Sequence, residues 1–277
     1  MFDEIVVNQF LQSFMNPTLT LFFQAVTFFG HPIIWFLAAA WLFWYGKEKR
    51  SAILVSIIIA VAVVSSGLKT LIARPRPGGV AVLETQESSY SMPSSHAAIG
   101  GAMFGYFEKK FPGKLEIANV LLLTLILLIG ISRIYLGVHY LSDVIVGLVL
   151  GYLIAKAVVY YEEKMVRFKL GFIKTEWPFL LAMIFIAAIL LAQFLPSELY
   201  AAQALLGYYF GFIIHKQNHA IYKAKNRALI IVAGTAILGV IGFLAYGAGG
   251  FVGSALFFIA GLFVTYLWPF AYSRLKL

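Results

Sequence analysis

The chain contains no cysteine, and it is poor in charged residues. The absence of cysteine excludes disulfide bonds and thiolate metal sites from the fold. Charged residues make up 12% of the chain, whereas a soluble domain carries roughly 25%. Hydrophobic residues reach 61%, in repeated runs of about 20 that are long enough to cross a bilayer. The composition therefore predicts an all-α, polytopic helical membrane protein.

Acidic residues are scarcer than basic ones, with 12 of the former and 21 of the latter. The resulting net charge of +9 can indicate nucleic-acid binding. In a membrane protein, however, basic loops on the cytoplasmic side set the topology and account for such an excess. No nucleic-acid partner is therefore expected.

Apolar runs and their breakers predict about nine transmembrane helices. With nine, nearly all basic residues fall on one side of the membrane, and the exceptions are Lys69, Arg74, Arg76 and Arg133. The larger set is expected to be cytoplasmic. This orientation places the N-terminus outside, the C-terminus in the cytoplasm and the four exceptions at the outer face.

A polar stretch at residues 162–176 divides the chain into two parts. Residues 1–165 contain every motif described below and are expected to form a core of about five spans. Residues 166–277 are expected to form a C-terminal helical membrane extension of about four spans. Before the first span, apolar residues such as Phe10 alternate with polar ones such as Glu4, which predicts an amphipathic helix lying in the membrane interface.

Three short stretches at the ends of apolar runs contain residues that can hold and cleave a phosphate ester. They are Lys69 to Arg76-Pro77, then Pro93-Ser94-Ser95-His96, then Ser132-Arg133 with His139 and Asp143. A single arginine at a helix end is commonly a lipid-headgroup contact. Four cations at the same ends as two histidines and an aspartate indicate a binding site instead, because charge near a bilayer is costly.

Lys69 and Arg76 lie seven residues apart, which predicts that both project from one helical face, two turns from each other. Pro77 is expected to stop this helix beside Arg76. A lysine supplies a point charge, and an arginine supplies a planar fork that suits phosphate oxygens. Arg133, arriving from another span, is expected to close the phosphate cage. Arg74 falls off the shared face, and we expect it to contact lipid headgroups.

The Pro93-Ser94-Ser95-His96 stretch is predicted to open a helix. Serine is a preferred N-cap, and the amides of a first helical turn bind anions. Ser94 and Ser95 are therefore candidate phosphate ligands, and a simple capping role for Ser94 is an equal alternative. His96 would lie one turn inside this site, within reach of a leaving oxygen.

His139 and Asp143 lie four residues apart, so their side chains can meet on one face. A carboxylate on one imidazole nitrogen fixes the tautomer and leaves the other nitrogen able to attack. Metal binding is the competing interpretation, but the nearby cations would repel a divalent metal, so no metal or other cofactor is expected. His31, His215 and His219 are not assigned to catalysis.

Together the three stretches resemble the signature of the type 2 phosphatidic acid phosphatase superfamily. The first and third parts fit at full spacing, on Lys69, Arg76-Pro77, Ser132-Arg133, His139 and Asp143. The second part departs at one position, because Ser95 stands where the family has glycine. The resemblance covers about residues 1–165.

The resemblance implies an integral membrane phosphatase that acts on lipid phosphates or diphosphates. The charge pattern predicts that its site faces outside the cytoplasm, and the cations around the histidines predict that it works without a metal. The resemblance also implies that His139 attacks phosphorus to form a phosphohistidine, that Asp143 orients His139, and that His96 protonates the leaving group. Phosphate binding is expected from the remaining candidates, Lys69, Arg76, Ser94, Ser95 and Arg133. A lipid phosphate and the surrounding membrane lipids are the expected partners.

Other functions fit the same residues. A transporter for anionic lipid or phosphate could use the basic cluster as its binding site, although two histidines and a neighbouring carboxylate exceed what binding requires. A phosphotransferase would pass the phosphate to an acceptor other than water. The nine-span plan also resembles the glucose-6-phosphatase branch of the superfamily, which acts on a soluble sugar phosphate, whereas Asp143 after the nucleophile favours the lipid phosphatase branch.

Overall fold

A computed structural model describes residues 3–84, 89–108, 116–167, 200–217 and 226–275. Within these ranges the regular structure is helical and no strand occurs, which confirms the predicted all-α class. The helices are α1 (Ile5–Gln12), α2 (Pro17–Phe28), α3 (Pro32–Trp44), α4 (Glu48–Ile72), α5 (Ser95–Phe107), α6 (Glu116–Tyr135), α7 (Leu141–Arg167), α8 (Tyr200–Gln217), α9 (Arg227–Ala248), α10 (Gly250–Leu262) and α11 (Trp268–Arg274). A π-helical turn at Phe263–Leu267 joins α10 to α11.

Five helical segments in the described ranges are long and apolar enough to cross a membrane: α4, α6, α7, α9 and the continuous segment Gly250–Arg274. Helices α2 and α3 meet at an angle of 46° and pass the same test together, so they form a sixth span if the pair counts as one. The protein is therefore a multi-pass helical membrane protein, as predicted. The nine-span count includes an apolar run near residues 179–195 that lies outside the described residues, and the count and the orientation stay predictions.

The chain forms two compact units. The first consists of Met1–Phe36 and Ser56–Arg167, and the second of Leu37–Val55 and Phe168–Leu277. Every residue that the motifs singled out lies in the first unit. The first unit therefore contains the candidate site.

In the first unit, α5 packs against α7 at very short range because glycines stand at the contact. A Cβ atom added at Gly101 would collide with the carbonyl oxygen of Leu148, and one added at Gly151 would collide with that of Ala98. This close approach brings the first turns of the two helices side by side. The backbone N–H of Ser94 donates to the carbonyl oxygen of Asp143 at 3.0 Å, so the second and third motifs are joined directly.

The segment between α6 and α7 carries His139 and rests on a buried apolar cluster. This cluster consists of Phe23, Tyr135, Leu136 and Val138. The ring centroids of Phe23 and Tyr135 lie 4.6 Å apart, and the Tyr135 hydroxyl lies 3.0 Å from Oγ1 of Thr20. These contacts anchor the backbone immediately before His139.

The second unit has its own interior, in which polar side chains bond across helices. The buried hydroxyls of Ser51 and Tyr208 lie 2.7 Å apart, and the Trp44 indole donates to the carbonyl oxygen of Val264 at 2.8 Å. Gly207 lies against α10, where an added Cβ would collide with the carbonyl oxygen of Phe258. Such bonds satisfy polar groups that lipid cannot hydrate.

Candidate active site

The first motif does not form one helical face, contrary to the sequence prediction. Helix α4 ends at Ile72, so Arg76 lies beyond it in a segment without regular secondary structure. Ala73 has a left-handed φ of 50°, and Pro75 disfavours helical backbone at the residue before it. The prediction was wrong because it counted Pro77 as the helix stop and ignored the earlier proline.

Lys69 and Arg76 nevertheless meet, and Ser89 is their common partner. The Lys69 ammonium donates to Oγ of Ser89 at 2.9 Å, and Nη2 of Arg76 donates to the same atom at 3.2 Å. Nε of Arg76 also donates to the carbonyl oxygen of Ser89 at 2.9 Å. Lys69 is 2% exposed, so this cation is held in a buried place. The serine that joins the two cations has no counterpart in the sequence prediction.

Arg76 also reaches the third motif. Its Nη1 donates to the carbonyl oxygen of Val138 at 2.9 Å and lies 3.5 Å from Nε2 of His139. On the other side of the imidazole ring, Nδ1 of His139 lies 3.5 Å from Oδ2 of Asp143. His139 therefore has one nitrogen facing a carboxylate and the other facing a guanidinium group, as a nucleophile for a bound phosphate requires.

His139 is fully buried, and its surroundings keep it neutral. Burial is the main cause that lowers the pKa of His139 to about 4, and the positive charges of Arg133, Arg76 and Lys69 lower it further. The hydrogen-bonding contribution of Asp143 acts in the opposite direction without offsetting them. A neutral imidazole at neutral pH has a lone pair that can attack phosphorus.

Arg133 is also buried, at the end of α6. Its Nη1 donates to Oγ1 of Thr27 at 2.8 Å and forms an ion pair with Glu84. Its carbonyl oxygen accepts the backbone N–H of His139 at 3.3 Å, so Arg133 and the candidate nucleophile are neighbours along the same turn. The sequence did not indicate this pair between Glu84 and Arg133.

Arg74 departs from the prediction as well. Its Nη1 donates to Oδ1 of Asp143 at 2.8 Å and to Oγ of Ser142 at 2.6 Å, and its Nη2 donates to Glu4 at 3.1 Å. The guanidinium group also stacks over the Tyr140 ring at 4.1 Å. The expected headgroup contact is wrong because the left-handed residue before Arg74 turns it toward the start of α7.

The second motif opens α5 as predicted. Ser94 is the N-cap, and its side chain accepts the backbone N–H of Ala97 at 3.5 Å, which confirms the capping role. Ser95 is the first helical residue and is half-buried. His96 is buried, one residue further along, at the same end of the unit as Asp143.

His96 has a neighbour that the sequence did not indicate. The rings of His96 and His31 lie edge to face, with centroids 5.8 Å apart. His31 stands in the break between α2 and α3, and the preceding Gly30 allows this approach, since a Cβ there would lie 2.9 Å from that of His96. The break thus borders the candidate general acid.

The described part of the chain contains no group of three His, Asp or Glu side chains placed to hold a metal ion. The charges that surround His139 are mainly cationic. This arrangement suits a phosphate group better than a divalent cation.

Comparison with known proteins agrees with the geometry. The family model described as "PAP2 superfamily" matches residues 50–167, which include all three motifs. The chain is 30% identical over 145 residues to phosphatidylglycerophosphatase B of Bacillus subtilis, covering 50% of this chain and 70% of that protein. It is 29% identical over 131 residues to an undecaprenyl-diphosphatase of Sulfolobus acidocaldarius, covering 44% of this chain and 61% of that protein.

A solved structure is also similar. The crystal structure of a transmembrane PAP2-type phosphatidylglycerolphosphate phosphatase from Bacillus subtilis matches with a TM-score of 0.50 and 27% identity. The match covers 60% of this chain and 87% of that one. All three relatives are phosphatases by name. The resemblance inferred from the motifs is confirmed, and the chain belongs to the PAP2 superfamily.

Proposed function

We propose that the protein is an integral membrane phosphatase that hydrolyses lipid phosphates and diphosphates through a phosphohistidine on His139. The observation that carries the proposal is the placement of His139, whose Nδ1 faces Asp143 while its Nε2 faces Arg76. A binding site alone needs cations but no buried neutral nucleophile beside them.

In the first step, Lys69, Arg76 and Arg133 hold the phosphate oxygens, and the turn at Ser94 and Ser95 adds hydroxyl and amide donors. Nε2 of His139 attacks phosphorus as the bond from phosphorus to the leaving oxygen breaks. The cations stabilise the charge that spreads over the phosphoryl oxygens.

Two further side chains complete this step. His96 donates its proton to the leaving oxygen, which departs as an alcohol or as a lipid monophosphate. Asp143 stabilises the positive charge that develops on the imidazole of His139 when the nitrogen–phosphorus bond forms.

In the second step, water releases the phosphate. His96, now neutral, accepts a proton from the attacking water, whose oxygen bonds to phosphorus as the bond to His139 breaks. The products are inorganic phosphate and the free imidazole. No metal enters either step.

A lipid substrate is supported by an apolar groove of about 220 Å³ between α5, α6 and α7. Its lining includes Phe104, Leu127 and Tyr152. Each of the three helices carries a candidate site residue near one end. The groove begins about five or six residues along the helix from that site residue. At 1.5 Å per residue this is about 8–9 Å from the site, within reach of the first carbons of a hydrocarbon tail. The names of the relatives point to the same substrate class.

The site is proposed to face outside the cytoplasm. The basis is the charge asymmetry of the sequence: the site cations are the exceptions to an otherwise one-sided set of basic residues. We further propose nine spans with the N-terminus outside, residues 1–165 as the catalytic core and residues 166–277 as a membrane extension.

The deciding experiment is phosphate release by the purified protein from a panel of substrates. The panel comprises an isoprenoid diphosphate, phosphatidate, phosphatidylglycerol phosphate and glucose 6-phosphate, each with and without EDTA. We expect release from the lipids in EDTA, a much lower kcat/KM for the sugar phosphate, and a loss of at least about 10³-fold in His139→Ala. No release from any substrate would favour a transporter, and transfer to an added alcohol would favour a phosphotransferase. Loss of activity in EDTA that magnesium restores would contradict the metal-free mechanism.

A further inference from the structure

Helix α1 presents a polar stripe to the segment that carries the nucleophile. Glu4 at the N-terminal boundary of α1, and Asn8 and Gln12 within it, are spaced four residues apart, so they share one face. Gln12 donates through Nε2 to the carbonyl oxygens of Ala81 and Tyr135, at 2.7 and 2.9 Å. The stripe therefore contacts both the loop after the first motif and the end of α6.

Asn8 contacts the nucleophile itself. Its side chain is fully buried, and Nδ2 donates to the carbonyl oxygen of His139 at 3.0 Å and to that of Ile134 at 2.9 Å. The peptide carbonyl of His139 is thus held by a residue near the start of the chain, far from His139 in sequence. This bond fixes the backbone from which the imidazole projects.

Glu4 joins the same region through Arg74. Its carboxylate accepts from Nη2 of Arg74 at 3.1 Å, from the Ser142 hydroxyl at 3.0 Å and from the Ser142 backbone N–H at 2.8 Å. Burial raises the pKa of Glu4, but the hydrogen bonds from Ser142 and the bond and charge of Arg74 outweigh burial and lower it overall. Glu4 is therefore ionised at neutral pH, and the pair with Arg74 is between full charges.

The two carboxylate oxygens of Asp143 have different partners. Nη1 of Arg74 donates to Oδ1 at 2.8 Å, while Oδ2 accepts the backbone N–H of Tyr140 at 2.9 Å and faces Nδ1 of His139. With Oδ1 fixed, the carboxylate cannot rotate without breaking an ion pair. The oxygen that faces the nucleophile is therefore fixed as well.

We propose that Arg74 and Glu4 are positioning residues of the phosphatase reaction, acting as a chain from Glu4 through Arg74 that fixes the carboxylate of Asp143 against His139. The inference rests on the proposed function, because a positioned carboxylate matters only when His139 attacks. Neither residue touches the phosphate clamp of Lys69 and Arg133 through any bond described above. Their loss should therefore lower kcat and leave KM nearly unchanged.

The test compares Glu4→Gln with Asp3→Asn, a matched loss of one carboxylate at the start of the same helix. Asp3 accepts the N–H of Ile5 within its own turn at 3.2 Å, so its removal leaves the chain to Asp143 intact. With the best lipid substrate from the panel, we expect Glu4→Gln to lower kcat about tenfold, since small misplacements of reacting groups are costly. KM should change less than about twofold, and Asp3→Asn should match the wild type in both constants.

Variants of Arg74 form the second part of this test. Arg74→Gln should lower kcat by about 10²-fold, and Arg74→Lys should retain more activity because it keeps a charge for Asp143. Glu4→Gln should have less than about a twofold effect in the Arg74→Gln background, because the chain is already broken. Independent structural roles would not produce this non-additivity.

The outcomes separate the two proposals. Wild-type protein that releases no phosphate from any lipid would overturn the proposed function and this inference together. An active wild type in which Glu4→Gln equals Asp3→Asn, or in which the Glu4 and Arg74 effects simply multiply, would overturn the inference alone. The same holds if kcat falls only in proportion to the folded fraction, measured by thermal unfolding in detergent.

Discussion

At the scale of the residue, the proposed chemistry depends on keeping His139 neutral in a site rich in positive charge. Burial and three cations disfavour its protonated form, and Asp143 only partly compensates. When phosphate binds, its negative charge reduces the net positive field, which lets the imidazole become positive as it forms the new bond. Without phosphate, burial and the neighbouring cations thus keep the His139 imidazole neutral. The negative charge of the substrate then lowers the cost of a positive charge on this imidazole.

The lowered pKa of His139 predicts that kcat/KM falls only at an unusually low pH on the acid side of its pH profile. Protonation removes the nucleophile, so kcat/KM should fall as the pH drops through about 4 rather than through the ordinary value of 6.5. Between pH 5 and pH 6.5 the free enzyme should keep its nucleophile. The measurement is kcat/KM against pH with a substrate whose own ionisation is corrected for. A limb centred near 6.5 that disappears in a His139 variant with residual activity would contradict the prediction.

Glu84 predicts a competition for the phosphate clamp. Its carboxylate pairs with Arg133, where we expect a phosphate oxygen to bind, so the substrate has to displace it. A partly exposed ion pair contributes about 0–1 kcal/mol, so Glu84→Gln should lower KM by about two- to fivefold. Inorganic phosphate should also inhibit this variant more strongly.

The matched control for this change is Glu108→Gln. Glu108 forms an ion pair with Lys156 in the same unit and has no described bond to the clamp. It should leave KM unchanged. Equal KM values for the two variants would show that Glu84 does not compete with substrate.

At the scale of the element, the site depends on how closely α5 and α7 approach. Their glycine contact places the N-cap of α5 beside the first turn of α7, so the turn proposed to bind phosphate lies next to Asp143. Neither helix could bring these groups together if a side chain stood at the contact. The distance between helices is therefore part of the catalytic geometry.

Gly151→Ala tests this dependence. The added methyl group would collide with the carbonyl oxygen of Ala98, and relieving such overpacking costs about 1–3 kcal/mol. We expect a lower unfolding temperature in detergent and a loss of activity in the protein that stays folded. Gly67→Ala is the control, because an added Cβ in α4 has no neighbour within 4 Å there. A variant at Gly151 that kept wild-type stability and activity would contradict this account.

At the scale of the whole molecule, the orientation of the site decides which lipids it can reach. An outward site meets lipids of the outer leaflet, whereas an inward site would meet those of the inner one. The absence of cysteine provides a clean background for testing this, because a single introduced thiol is the only one present. The test needs one position on each side of the proposed membrane.

Val82→Cys and Lys47→Cys are suitable positions. Val82 is exposed in the loop after the first motif, and Lys47 lies between α3 and α4, among the residues expected to be cytoplasmic. A membrane-impermeant maleimide should label Val82→Cys in intact cells and Lys47→Cys only after permeabilisation. The parent protein, which has no thiol, should stay unlabelled. The reverse pattern would place the site in the cytoplasm.

The sequence predicted which residues lie together better than it predicted the structure around them. Fixed spacings singled out Lys69, Arg76, His139 and Asp143 as candidates, and the structure brings these four side chains into one cluster. The end of α4 before Arg76 was missed because Pro77 rather than Pro75 was taken as the helix stop, and the left-handed turn at Ala73 has no glycine to signal it.

Long-range partners could not be predicted for a different reason. The contacts of Arg74 with Glu4 and Asp143 join residues about 70 positions away in each direction, and no spacing rule covers such pairs. The pair between Glu84 and Arg133 is missed for the same reason. Composition and charge predicted a multi-pass helical protein, because burial in lipid constrains every span in the same way.

The contacts of α1 also have a consequence for the order in which the protein assembles. Its polar stripe binds residues 69 to 138 positions later in the chain, so its partners do not exist when α1 leaves the ribosome. At 5–20 residues per second, the wait for the last of these partners, 138 positions on, is roughly 7 to 28 s. The exposed apolar side chains of Val6 and Phe10 in α1, and of Phe14 just after it, can hold the helix at the membrane surface during that time. Synthesis of the first unit is thus expected to end with the docking of its first helix, and only then is the active site complete.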